Sequence, residues 1–105
     1  MISFSIPKAD SESITRILKR AEAKKWLSPK DRMSNHMDLA ACHANGCPLD
    51  LTRMEAEIDG EHAFSVAHDL AGIRRHIDRD DNSPTGGQML DCFVPRFHKR
   101  ETEVA

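Results

Sequence analysis

The sequence predicts a mainly helical domain of the α+β class, with four helices around a long central helix and a small two-stranded sheet. From residue 62 to residue 79, apolar side chains recur every three or four positions, which is the period of an amphipathic helix. Near the start of the chain, Ile2, Phe4 and Ile6 alternate with serines, which is the period of a strand. The length of 105 residues suits one globular domain, predicted over residues 1–97, followed by a flexible tail at 98–105.

The two predicted strands come from opposite ends of the chain. Pro7 ends the first strand, because proline lacks the N–H group that a sheet ladder needs. The second strand is predicted at Met89–Val94, where Leu90, Cys92 and Val94 fall on one side of an extended segment. Pairing of these strands is expected to bring the two ends of the domain together.

The first helix is predicted to follow Pro7. Asp10 or Ser11 is expected to cap its N-terminus through a side-chain oxygen, and Trp26 and Leu27 are expected to close its end against the core. Its apolar stripe consists of Ile14, Ile17, Leu18 and Ala21.

Two shorter helices are predicted next. Ser34 or Asn35 is expected to start the second helix, and Gly46 to terminate it, since glycine readily adopts the left-handed conformation found at helix ends. Asp50 is a suitable N-cap for a third helix at Leu51–Ile58.

The long fourth helix is predicted at Glu61–Arg79, with Asp59 as its cap. Asp69 is assigned to its polar surface, and His68 lies near its apolar side. The face predicted to enter the core consists of Ala63, Phe64, Val66, Ala67, Leu70, Ile73 and Ile77.

The net charge of −2 is unevenly distributed along the chain. Residues 1–32 carry eight Lys/Arg and four Asp/Glu, whereas residues 33–81 carry four and ten. This layout argues against a general nucleic-acid binder and indicates an acidic surface that attracts a basic partner. The predicted partner-binding ridge, here called the acidic set, consists of Glu55, Glu57, Asp59, Glu61, Asp78, Asp80 and Asp81.

Residue types suited to catalysis or metal binding are present, but their spacing favours structural roles. His36, Cys42, His43 and Cys47 include zinc-ligand types, yet no second Cys or His pair follows at a finger-like interval. Neither a nucleophile elbow nor a phosphate-binding loop is recognisable. We therefore expect no enzymatic activity, no metal and no cofactor.

Three segments carry a family resemblance: HANGCPLDL at residues 43–51, AHDLAGIRRHIDRD at residues 67–80 and FVPRF at residues 93–97. They resemble a family of small uncharacterised proteins of bacteriophages and prophages of proteobacteria, and the likeness extends over most of Asp38 to Phe97. The segment Glu55–Glu61 looks like an insertion relative to that family. The resemblance implies an origin rather than a chemistry.

In size and character the chain is also similar to anti-CRISPR proteins that act on type I-F complexes. This similarity implies a non-enzymatic inhibitor that binds a host CRISPR–Cas effector complex and blocks its recognition of target DNA. The acidic set would then occupy the Lys and Arg side chains that hold DNA phosphates. Because the chain has neither a signal peptide nor an apolar run near the ~20 residues of a membrane span, we expect it to act in the host cytoplasm.

Two alternatives remain open from the sequence. One is a virion or assembly component. The other is a phage DNA-associated or regulatory module that contacts phosphates through the basic residues of the first helix, which are Arg16, Lys19, Arg20, Lys24 and Lys25.

Overall fold

A computed structural model describes residues 6–44, 48–79 and 95–99 of the chain, with the backbone alone at 75–79. A single 3-10 turn at Pro29–Asp31 leads into the second helix. The helices are α1 (Lys8–Ala23), α2 (Arg32–Ala44), α3 (Leu51–Glu57) and α4 (Ala63–Arg79). The predicted mainly helical class is confirmed.

The two-stranded sheet is not supported. Its predicted segments lie outside the described residues apart from Ile6, and the described part of the chain contains only an isolated antiparallel bridge between Leu49 and His98. On either side of this bridge, the N–H of Asp50 donates to the carbonyl of Phe97, and the N–H of Lys99 donates to the carbonyl of Pro48, both at 2.7 Å. The fold therefore includes His98 and Lys99, which extend two residues into the predicted tail.

Helix α1 begins earlier than its predicted caps, at Lys8. The carbonyl of Pro7 accepts the N–H groups of Asp10 and Ser11 at 3.0 and 3.1 Å, so both residues already belong to the first turn. Pro7 is the N-cap of α1, with ψ of 146°, and its missing N–H removes no helical hydrogen bond because the residue precedes the first turn.

The end of α1 directs Trp26 back towards the core. Lys25 adopts a left-handed conformation with φ of 64°, and its N–H donates to the carbonyl of Glu22. The N–H of Trp26 reaches the carbonyl of Ala21 at 3.0 Å. These two bonds form a Schellman motif, which satisfies carbonyl groups left over at the helix end. Trp26 and Leu27 pack half-buried against the core, as predicted.

The two short helices start largely where their local signals indicate. The side chain of Asp50 accepts the N–H of Arg53 at 3.1 Å and caps α3, which confirms the predicted cap. Helix α2 starts at Arg32, before the predicted Ser34 or Asn35, because the 3-10 turn leads straight into it. Gly46 lies outside the described residues.

The core lies between α1 and α4, which both pack against α2 and α3. Helix α4 is thus one wall of the core, which corrects its predicted place at the centre. All four predicted apolar residues of α1 are buried. The core contains Ile14, Ile17, Leu18, Ala21, Leu39, Ala40, Cys42, Leu49, Leu51, Met54, Ile58, Val66, Leu70, Ile73 and Phe97.

The face that α4 presents to the core differs from the predicted one. Val66, Leu70 and Ile73 are buried as expected, but Phe64 is 81% exposed. Successive helical residues are rotated by about 100°, so Phe64 points about 200° away from Val66. Asp69 is only 2% exposed, which corrects its assignment to the polar surface, and His68 is exposed. The side chain of Ile77 lies outside the described part.

Asp69 is buried because it holds the C-terminal segment. Its carboxylate accepts the backbone N–H of Phe97 at 2.8 Å and also that of Arg96. Phe97 inserts its ring into the core, where the guanidinium of Arg53 lies 5.0 Å from the ring centroid. Burial raises the pKa of Asp69, and the two N–H groups oppose this effect without cancelling it.

Replacement of Asp69 by alanine is expected to destabilise the protein by about 1–3 kcal/mol, because the buried N–H of Phe97 loses its acceptor. Urea unfolding of the wild type and variant measures this difference. Asp69→Asn keeps one carbonyl oxygen and is expected to be less destabilising. Equal stability of the wild type and the alanine variant would contradict this role.

The raised pKa of Asp69 also predicts a direction for pH dependence. Since the folded state favours the protonated carboxyl, Asp69 contributes more to stability below its ordinary pKa of 3.8 and loses this contribution as pH rises through its folded pKa. The free energy of unfolding of the wild type minus that of Asp69→Asn should therefore increase as pH falls from 7 towards 4. A difference that decreases over this range would show the opposite pKa shift.

Candidate functional site

The first part of the acidic set faces α1, where basic residues neutralise it. Glu55 on α3 receives a two-pronged contact from the guanidinium of Arg16, whose Nη2 lies 3.1 Å from Oε1. Arg20 donates to the backbone carbonyl of Glu55 at 3.0 Å. The hydrogen bond from Arg16 lowers the pKa of Glu55, so its carboxylate is ionised and engaged at neutral pH.

The neighbouring carboxylates Asp59 and Glu57 also lie near cations, but neither receives a two-pronged hydrogen bond, and the buried Oε2 of Glu57 has no hydrogen-bond partner among the described residues. Asp59 lies 3.6 Å from Nε of Arg20 and 3.1 Å from Nζ of Lys24, so its side chain contacts α1 instead of capping α4. Glu57 lies 3.7 Å from Nε of Arg53. Glu61 is exposed and has no ion pair within the described ranges. The side chains of the remaining members lie outside those ranges, and these members are Asp78, Asp80 and Asp81.

These contacts concern three of the seven members of the acidic set, whose role in partner binding stays a prediction. Glu55, Glu57 and Asp59 face cations of the same molecule, which reduces the negative potential that these three carboxylates offer a basic partner. The same contacts engage Arg16, Arg20 and Lys24 of the basic helix that the DNA-binding alternative requires. Pairing within the fold therefore weakens the electrostatic basis of both hypotheses at these residues, and both hypotheses stay predictions.

His43 has a structural role at the junction of three segments. Its Nδ1 accepts the N–H of Leu49 at 3.0 Å, so the ring hydrogen resides on Nε2, which donates to Asp10 at 3.1 Å. This arrangement joins the end of α2 to the start of α1 and to the segment before α3. It also explains the HANGCPLDL segment, in which the histidine binds a backbone group six residues ahead.

The α1–α2 pair borders an open apolar concavity. The two helices run antiparallel, with Glu22 and Arg32 joined at one end by contacts of 2.7 and 2.9 Å, and Asp10 and His43 joined at the other. Between these contacts lies a cavity of about 510 Å³, here called the groove. It is lined by Thr15, Leu18, Arg32, Met33, His36 and Met37.

Two methionines form the exposed wall of the groove. Met33 is 80% exposed and Met37 48% exposed, one helical turn apart on α2. The outward stripe of this helix is uncharged, since it continues through Ser34, Ala41 and Ala44. Methionine side chains are flexible and polarisable, and they recur at surfaces that bind other proteins. Surface exposure of large apolar residues in a cluster indicates an interaction site.

Sequence reasoning missed the groove. The available signal is the spacing of Met33 and Met37 by four residues, together with the position of Leu39 on another face of α2. Periodicity alone assigns an apolar stripe to the core. The groove exists because α1 leaves that stripe of α2 uncovered, and this is a property of the tertiary structure.

Over its described residues, the chain forms a small helical domain with four helices and an exposed apolar groove between α1 and α2. A family model matches residues 9–99, and it describes a family of unknown function, DUF6874. The chain belongs to this family. No curated protein and no solved structure is significantly similar to it.

Charge reversal of Glu55 is expected to lower the melting temperature by several degrees, because Glu55→Lys places a cation against Arg16 and Arg20. The sequence alone would treat this substitution as a surface change without effect on stability. Thermal unfolding followed by circular dichroism measures the shift.

Glu61→Lys is the matched control, since Glu61 is exposed and has no ion pair within the described ranges. We expect its melting temperature to equal that of the wild type. Added salt should reduce the effect of Glu55→Lys, because screening weakens both attraction and repulsion at the surface. If the two variants melt together, the α1–α3 ion pairs have no role in stability.

Proposed function

We propose that the protein is a non-enzymatic binding module whose partner is another protein that docks in the groove. The observation that carries this proposal is the pair of exposed methionines beside a cavity of about 510 Å³. A cavity of this size accommodates several apolar side chains, and burial of each large one stabilises a complex by roughly 1.5–3 kcal/mol before the costs of association.

Three of the side chains suited to chemistry are already engaged, which supports binding over catalysis at these positions. Both ring nitrogens of His43 are bonded, and the hydroxyl of Ser13 accepts a hydrogen bond from Arg16. Asp69 is buried against backbone N–H groups. A catalytic acid, base or nucleophile needs a free position within reach of a substrate, which these groups lack.

A CRISPR–Cas effector complex as the partner is a proposal that rests on the resemblance to type I-F inhibitors. The ion pairs of Glu55 and Asp59 favour steric blocking of target DNA as the mode of inhibition. The sequence had instead suggested competition for the cations that hold DNA phosphates. A protein anchored through the groove would block target DNA by its bulk, without competing for phosphate-binding cations. Such a protein would act in the host cytoplasm. Among the described residues, no helix combines the length and apolar content needed to cross a membrane.

The groove predicts which substitutions abolish binding. Met33→Gln combined with Met37→Gln keeps side-chain length and helix propensity, so stability should change by less than about 0.5 kcal/mol while the apolar anchor surface is lost. We expect this variant to lose inhibition of DNA binding by a purified type I-F effector complex that the wild-type protein inhibits. Biolayer interferometry of the effector on immobilised target DNA measures inhibition.

Phe64→Gln is the matched control, because Phe64 is an exposed large apolar residue on a different helix. It should inhibit like the wild type. A photo-crosslinking amino acid at position 37 should join the chain to an effector subunit, and the same group at position 64 should not. Wild-type inhibition by the methionine variant would remove the groove from the interface, and absence of inhibition by the wild type would remove the CRISPR effector as partner.

A further inference from the structure

The ring of His43 is bonded at both nitrogens in a way that only its neutral form allows. The backbone N–H of Leu49 donates to Nδ1 at 3.0 Å, and Nε2 donates to a carboxylate oxygen of Asp10 at 3.1 Å. A protonated imidazole carries hydrogen on both nitrogens, so Nδ1 would then direct its own N–H against that of Leu49. One proton thus converts this hydrogen bond into a contact between two donors.

Burial leaves the N–H of Leu49 without a substitute for this acceptor. Leu49 is 1% exposed, and the side chain of His43 is 14% exposed. Since a buried N–H that loses its partner is strongly unfavourable, the backbone at Leu49 has to move until water reaches it. Leu49 also pairs with His98 in the antiparallel bridge, so this movement affects the connection to the C-terminal segment.

Charged groups of the neighbouring elements determine how the ring accommodates a proton. Asp10 of α1 faces Nε2, and a polar cleft of about 220 Å³ beside the ring is also lined by Asp50, before α3, and by Lys99 of the C-terminal segment. From α4, Asp69 contacts the same C-terminal segment. The carboxylates of Asp10 and Asp50 favour a positive charge on the ring, whereas Lys99 opposes it. Protonation therefore strengthens the contact with Asp10 while it breaks the contact with Leu49.

We infer that His43 is a proton-sensitive latch, which holds Leu49 to the end of α2 in its neutral form and releases it in its protonated form. Histidine side chains ordinarily take up a proton at about pH 6.5. The ion pair with Asp10 offsets the hydrogen bond that is lost. Acidification therefore opens the junction between α2 and the segment before α3, and it leaves the helical core folded.

A second histidine on the same face of α2 is a natural control. His36 precedes His43 by about two helical turns, and its Nε2 lies 3.2 Å from the hydroxyl of Ser11 on α1. A hydroxyl group can donate or accept, so it rotates to suit either form of the ring. Protonation of His36 is therefore expected to break no contact.

Amide hydrogen exchange of the full chain, followed by NMR between about pH 7.5 and 5.5, tests this inference. After correction for the intrinsic pH dependence of exchange, we expect the protection of the Leu49 amide to fall roughly tenfold on acidification, as the loss of one hydrogen bond implies. The amides of Ile17 and Leu18 in α1 should keep their protection. Nitrogen-15 shifts of His43 should report the Nε2–H form at the higher pH and the imidazolium at the lower. A ring that stays neutral, or an imidazolium with unchanged protection at Leu49, would overturn the latch.

Three variants assign the response to its groups. His43→Asn does not titrate and keeps an oxygen acceptor close to the position of Nδ1, so the protection of Leu49 should no longer depend on pH. Asp10→Asn removes a carboxylate that favours the imidazolium, and it should move the loss of protection to lower pH. His36→Asn should behave like the wild type. A loss of protection that persists in His43→Asn would assign the response to another group and overturn the latch. Should His43→Asn not fold, an unshifted response in Asp10→Asn would overturn it instead.

Discussion

A buried carboxylate is the constraint on which the packing of this domain depends. Asp69 lies on the core face of α4, where an unsatisfied charge would be strongly unfavourable. The backbone N–H groups of Arg96 and Phe97 satisfy it, and this requirement fixes a segment that is distant in sequence. With that segment in place, Phe97 fills the core and the backbone beside it pairs with residues 48–50 before α3. Asp69 thus positions residues 95–99 and, through them, the segment that leads into α3.

Helix α1 divides the surface into two parts with different properties. On the side of α3, its arginines and Lys24 face carboxylates and the two charges cancel. On the side of α2, the helices are joined at their ends by Glu22 with Arg32 and by Asp10 with His43. Between these contacts lie the Ser11–His36 hydrogen bond and the mainly apolar groove. Opposite charges that attract each other within the fold are poor recognition groups. The uncovered apolar surface is therefore the better candidate for binding.

This division also explains why sequence and structure point to different interaction sites. The cluster at Glu55 and Asp59 is conspicuous in the sequence because acidic residues are dense there. Its partners, Arg16 and Arg20, lie more than thirty residues earlier, and no local pattern connects the two segments. The methionines of α2 are inconspicuous in the sequence, since spacing of four residues is also what a core helix shows.

The sequence by itself determined the local features: the helical class, the buried stripe from Ile14 to Ala21, and the cap formed by Asp50. These depend on periodicity and on hydrogen bonds between residues three or four positions apart, which a sequence displays directly. Only the tertiary structure decided that Asp69 is buried, that Phe64 is exposed, and that Met33 lines a groove. Each of these depends on which distant segment covers a helix face, and the same periodic pattern is compatible with a covered face or an open one.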